Sequence, residues 1–97
     1  MASVSDFILS LREVSFCVVY SRKDKGLKYS IRSINGLDAG RITAKALAGL
    51  GSGGGHQIMA GGFVPFTGTD SQLQTLVETI RENFLQEVRL AKENKNL

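Results

Sequence analysis

The sequence predicts an α/β domain: a small mixed sheet with helices packed on it, closed by a long C-terminal amphipathic helix. An α+β arrangement is the variant that the same elements permit. Three observations carry this. Two neighbouring segments, 14–20 and 27–34, are rich in β-branched and aromatic residues. The stretch 39–50 is Ala-rich and places Ile42, Ala46 and Leu50 on one helical face, with Leu47 beside them. Leu73, Leu76, Val77, Ile80, Phe84, Val88 and Ala91 then recur at period 3.6.

The elements follow in order. Residues 4–12 hold Val4, Phe7, Ile8 and Leu11 at helical spacing, with Ser3 or Ser5 as a cap, and predict a short helix; a strand is the alternative. Residues 14–20 are apolar on both faces and predict a buried strand. Ser21-Arg22-Lys23-Asp24-Lys25-Gly26 is a polar, solvated turn, so 27–34 is a second strand antiparallel to the first. Asn35-Gly36 breaks it. Asp38 stands as an N-cap for the helix, and Gly49 and Gly51 can end it. A helical turn is expected over 56–60 and a strand over 61–64. Thr67-Gly68-Thr69 is a turn, and Thr69 with Gln72 matches a capping box for the last helix. The polar tail 92–97 is expected to fray.

Length and composition bound the function. The 97 residues make one domain, 1–97, without a repeat or linker. Hydrophobic content of 42% and charged content of 22% are those of an ordinary globular chain. The net charge of +3 tolerates an anionic partner without forming the dense basic stripe of a tight duplex binder. One cysteine, Cys17, cannot form an internal disulfide, and no apolar run reaches membrane-spanning length. The cytoplasm, without a membrane partner, is the expected setting.

The chemistry concentrates in Gly51-Ser52-Gly53-Gly54-Gly55-His56. A glycine run leaves backbone N–H groups uncovered, and a histidine beside them can donate to an oxyanion. Known phosphate loops do not fit. Gly49, Gly51 and Gly54 satisfy G-x-G-x-x-G, but the run follows a helix where the dinucleotide fold needs a strand. The Lys and Ser or Thr of a Walker loop are missing. One His and one Cys cannot close a zinc shell, so no metal site is expected in the chain. A Cys17–His56 pair is formally available, but a thiol within an apolar strand is usually inert.

Gly51-Ser52-Gly53-Gly54-Gly55-His56-Gln57-Ile58-Met59-Ala60-Gly61-Gly62-Phe63 resembles the G-G-G-H-x-x-A-[AG]-G box of the DHH-family phosphoesterases, in their C-terminal, DHH-associated domain. That family includes RecJ-like exonucleases, oligoribonucleases and cyclic-dinucleotide phosphodiesterases. Tyr29-Ser30-Ile31-Arg32-Ser33 resembles the strand ending in Arg-Ser that lies upstream of the box. The order of elements matches over essentially the whole chain. Met59 stands where the family often has Ala and adds bulk near the site. The Asp-His-His signature needs two histidines, and this chain has only His56.

The resemblance implies the substrate-binding C-terminal domain of a longer phosphodiesterase or exonuclease acting on short oligonucleotides or small nucleotides. Its catalytic N-terminal DHH domain would hold Mn2+ or Mg2+, and this chain alone would be inactive. Gly53, Gly54, Gly55 and His56 would hold phosphate, and His56 would stabilise charge on the scissile group in the full enzyme. Arg32 can grip a phosphate bidentately, with Ser33 as a weaker donor. Alternation puts Tyr29, Ile31 and Ser33 on one strand face and Lys28, Ser30, Arg32 and Ile34 on the other. Tyr29 can stack on a base, although a core position is its ordinary reading. The alternative function is a non-catalytic RNA-binding module like the one ending alanyl-tRNA synthetases.

Overall fold

The computed structural model describes residues 4–11, 14–34 and 36–95, and the side chains of 16–34 and 36–94. Its elements are β1 (Val4–Leu11), β2 (Val14–Lys23), β3 (Gly26–Ile34), α1 (Ala39–Ala46), β4 (Ser52–Gly55), β5 (Met59–Pro65) and α2 (Asp70–Lys95). The five strands form one sheet in the order β1-β2-β3-β5-β4. Every ladder is antiparallel. A sheet with helices packed on it and a long C-terminal helix is the predicted class. The antiparallel pairing corrects the expected mixture of strand directions and makes the arrangement α+β.

The N-terminal segment is a strand, not the short helix that its spacing favoured. Val4–Leu11 pairs with β2 along its full length, from Val4 with Ser21 to Leu11 with Val14. A short apolar run fits either period, and the adjoining strand settles which wins. The expected Ser3 cap lies outside the described residues. β2 and β3 form the predicted hairpin, but they run on to Lys23 and Gly26, leaving Asp24-Lys25 as the connection. β2 is covered on one face only. Phe16 and Val18 are fully buried, whereas Cys17 and Val19 on the other face are half-buried.

The covered face carries the core. Along β3 the burial alternates, with Leu27, Tyr29, Ile31 and Ser33 buried and Lys28, Ser30, Arg32 and Ile34 exposed. This is the predicted division. Above the buried face lie α1, through Ile42 and Ala46, with Leu47 just beyond its end, and α2, through Ile80, Phe84 and Val88. Phe84 anchors α2. Its ring centroid lies 6.3 Å from Phe16 and 6.1 Å from Tyr29, and Tyr20 stacks on Tyr29 at 5.5 Å. Truncating such a ring to Ala costs about 3–5 kcal/mol. Asn83 ties the helices together by donating to the Ala46 carbonyl at 3.0 Å, which satisfies an end-of-helix acceptor.

Helix starts follow the predicted chemistry. The Asp38 carboxylate accepts from the Arg41 N–H at 3.1 Å. At α2, Gln72 Oε1 accepts from the Thr69 N–H at 2.9 Å, and Thr69 Oγ1 accepts from the Gln72 N–H at 3.2 Å. α1 ends at Ala46, short of the predicted Leu50, and the chain turns over Leu47–Leu50 through Gly49 at φ +80°. α2 runs to Lys95, through residues where fraying was expected. Asn35 and residues 96–97, also named in those expectations, lie outside the described residues.

The remaining correction concerns the glycine run. Ser52–Gly55 is strand β4, and no helical turn follows His56. Gly53, Gly54 and Gly55 pair with Gly62, Gly61 and Ala60 of β5. Glycine supplies no side chain to give a strand period, so only the partner strand makes this segment extended. The glycines also let α1 settle onto the backbone. A Cβ on Gly53 would lie 2.9 Å from Thr43 Cγ2 of α1 and 2.9 Å from Leu47 Cδ1 just beyond it, and one on Gly62 would lie 2.4 Å from Leu47 Cδ1.

Candidate phosphate site at the end of β3

β4 and β5 form a hairpin whose loop is His56-Gln57-Ile58, closed by the His56 N–H donating to the Met59 carbonyl at 2.7 Å. The loop is held from outside by its own carbonyls. Gly40 N–H donates to His56 O at 2.8 Å, Ala39 N–H to Gln57 O at 2.8 Å, and Ser33 N–H to Ile58 O at 3.0 Å. Two of these donors are the first N–H groups of α1, which would otherwise lack partners. With Asp38 capping Arg41, the start of α1 is occupied by the protein itself.

The contact at Gly40 is unusually close. A Cβ there would lie 2.4 Å from the Gly55 carbonyl oxygen and 2.6 Å from its carbon. On the hairpin's other side, a Cβ on Gly55 would lie 2.6 Å from the Met59 carbonyl oxygen, and Gly55 has φ +155°. Glycine at both positions is what lets helix, hairpin and sheet meet here. Because the loop backbone is fixed on every side, the His56 side chain projects from a rigid support and is exposed.

Arg32 reaches the same place from β3. Its Cα partner on β5 is Met59, the residue whose carbonyl closes the His56 loop. The Arg32 side chain is exposed on the uncovered face of the sheet. Among the described residues, neither its guanidinium nor the His56 ring has a side-chain partner. The structure therefore joins the two motif pieces found in the sequence and leaves both cationic or donor groups available. Met59 stands between them, 50% exposed.

Ser33 occupies a different position. It is 3% exposed, lies on the covered face, and its Oγ has no hydrogen-bond partner. Its link to the site is the backbone N–H bonded to Ile58. The three glycines also divide. β4 is extended, so its N–H groups alternate between β5 and the open edge instead of converging as a nest. Gly53 faces α1, Gly55 abuts Ala60, and Gly54 faces open space, where an added Cβ would find nothing within 4 Å. The basic turn is solvated as expected, with Arg22 paired to Asp70 of α2 at 3.1 Å. Tyr29 is buried in the core, where desolvation raises its phenol above its ordinary range.

Sequence reasoning missed Gly40, whose role depends on a neighbour distant in sequence. Lys28, which alternation places on the face of Arg32, has Phe63 as its Cα partner there.

An antiparallel sheet with a GGGH hairpin bonded to its Arg-Ser strand defines the DHH-associated class of domain that the sequence resembled. The chain belongs to the DHHA1 domain family, whose family model matches residues 1–86; this is the DHH-associated domain of DHH-family phosphoesterases. No curated protein and no solved structure matches the chain. DHHA1 domains normally accompany an N-terminal DHH domain. No helix among the described residues is long and apolar enough to cross a membrane.

Proposed function

We propose that this domain binds the substrate of a metal-dependent phosphodiesterase or exonuclease acting on short oligonucleotides or small nucleotides. Arg32 and His56 hold a phosphate between them, assisted by edge N–H groups of Gly53–Gly55. One observation supports this above the others: the Arg-Ser strand and the GGGH hairpin are joined through Ser33 and Met59, while both functional side chains remain unpaired among the described residues. An exposed guanidinium and an imidazole on rigid backbone suit a tetrahedral anion.

The described residues contain no group of His, Cys, Asp or Glu fit to hold a metal ion. No step of bond cleavage is therefore assigned to them. In this reading an accompanying DHH domain holds Mn2+ or Mg2+ and cuts the phosphoester, and this domain orients the substrate. Orientation contributes part of the ~7–11 kcal/mol attainable from ideal positioning. Within that assembly His56 also stabilises charge on the scissile group. The setting is cytoplasmic.

Titration with a short 5′-phosphorylated oligonucleotide tests the reading. Arg32→Gln and His56→Ala should each weaken binding by about 1.5–3 kcal/mol, the range for charge-assisted hydrogen bonds. Binding without hydrolysis is expected for this chain in the presence of manganese. Equal affinities for both variants and the parent would refute the assignment.

A further inference from the structure

Asn83 of α2 clasps the end of α1 through the Ala46 carbonyl. At the start of α1 a cleft of about 410 Å³ opens between residues 36–45 and the last turns of α2. This volume falls within the ~300–1,000 Å³ range of small-molecule sites. The floor of the cleft is aliphatic. Leu37 and Ile42 are each 3% exposed, and Ala91 is half-buried beside them. Leu90 completes the lining and is 44% exposed, an apolar side chain left largely uncovered by the described residues. Helical spacing puts Glu87, Leu90, Ala91 and Asn94 on one face of α2, which forms one wall.

The charges around the cleft do not pair with one another. Arg41 and Lys45 stand one helical turn apart on α1, and both are exposed. Glu87 lines the same cleft from α2 and is half-buried. Among the described residues, none of the three has an ion-pair partner, although opposite charges share one cavity. Asp38 is the other charged lining residue, and its carboxylate is engaged by the Arg41 N–H at 3.1 Å. The cleft therefore offers two cations on one wall, a carboxylate on the other and an apolar floor. None of its lining residues is aromatic.

We propose that this cleft binds a small zwitterion with an aliphatic body, of the class of an apolar amino acid or dipeptide. Arg41 and Lys45 receive the ligand's carboxylate, its ammonium group donates to Glu87, and its side chains lie on Leu37, Ile42 and Leu90. A simple anion would satisfy the two cations but leave Glu87 facing like charge, which disfavours it. A nucleotide base would find no ring to stack on. The helices lie over the covered face of the sheet, whereas Arg32 is exposed on the other face. The cleft is thus a second site, and its occupancy does not depend on the phosphate site described above.

Titration of the full chain with leucyl-leucine, followed by amide NMR shifts, tests this. Saturable shifts are expected at Leu37, Ile42, Leu90 and Ala91. N-acetyl-leucyl-leucine lacks the ammonium group and leucyl-leucinamide lacks the carboxylate. Each should bind roughly tenfold more weakly, the scale of one charge-assisted hydrogen bond. Glu87→Gln should weaken leucyl-leucine by about the same factor and leave the N-acetyl form unchanged. Arg41→Gln combined with Lys45→Gln should weaken leucyl-leucine and leave the amide unchanged. These side chains hold no ion pair among the described residues, so the variants should keep a thermal midpoint close to the parent's. Cleft signals that stay unmoved at millimolar leucyl-leucine would overturn the proposal. Equal affinities for the three peptides, or tighter binding of adenosine monophosphate at the same residues, would overturn it as well.

Discussion

The backbone N–H of Ser33 donates to the carbonyl of Ile58 at 3.0 Å, and this bond seats the histidine hairpin on the strand that carries Arg32. Residues far apart in sequence are thereby held as one unit. Gly40 completes the attachment from α1 by donating to His56 O.

Gly40→Ala should disrupt this unit. The added methyl would lie 2.4 Å from a backbone oxygen, so a whole element must shift. Overpacking of this kind costs about 1–3 kcal/mol. In a domain of this size each kcal/mol lowers the melting midpoint by about 4–8 °C. Calorimetry checks the midpoint, and the His56 ring signals should move with it. A melting curve equal to the parent's would contradict the close contact.

Thr69→Ala should cost about 1 kcal/mol by removing an N-cap acceptor. The Gln72 N–H then loses its partner at the start of α2. Chemical denaturation measures the loss. The first-turn amides of α2 should exchange faster with solvent in the variant, while those near Phe84 keep the protection set by global stability.

Tyr29 links stability to alkaline pH. Its hydroxyl is buried without a hydrogen-bond partner, and desolvation, reinforced by the neighbouring Tyr20, raises its proton affinity in the folded state. The folded chain thus binds this proton more tightly than the unfolded chain does. The contribution to stability is complete below the ordinary tyrosine pKa of about 10 and falls as pH rises above it. Tyr29→Phe removes both the unpartnered hydroxyl and the titration. Its unfolding free energy at neutral pH should equal or exceed the parent's, and its decline above pH ~10 should be shallower. Denaturation profiles between neutral and strongly alkaline pH decide the matter.

The parts of this structure legible in the sequence are those whose side chains carry a period. The stripe from Leu73 to Ala91 and the Thr69–Gln72 pair gave α2 and its start. Alternation along β3 placed Arg32 and Ser33 on opposite faces. Two segments were not legible, for different physical reasons. Val4–Leu11 fits two periods, and its strand form comes from β2 beside it. Ser52–Gly55 has no apolar side chain to mark a period, so its extension depends on β5. The residue types of the site were readable, whereas the Ser33–Ile58 and Gly40–His56 bonds that assemble it join segments by tertiary contact.

A double-mutant cycle between Arg32 and His56 tests the central claim most directly. The claim is that the Arg-Ser strand and the GGGH hairpin build one phosphate site. Affinities for a 5′-phosphorylated dinucleotide would be measured for the parent, Arg32→Gln, His56→Ala and the double variant. Two groups on one anion should be coupled by about 0.5–3 kcal/mol, so the double variant should bind more tightly than the sum of the single losses predicts. Losses that add within about 0.5 kcal/mol would mean separate sites and would contradict the account.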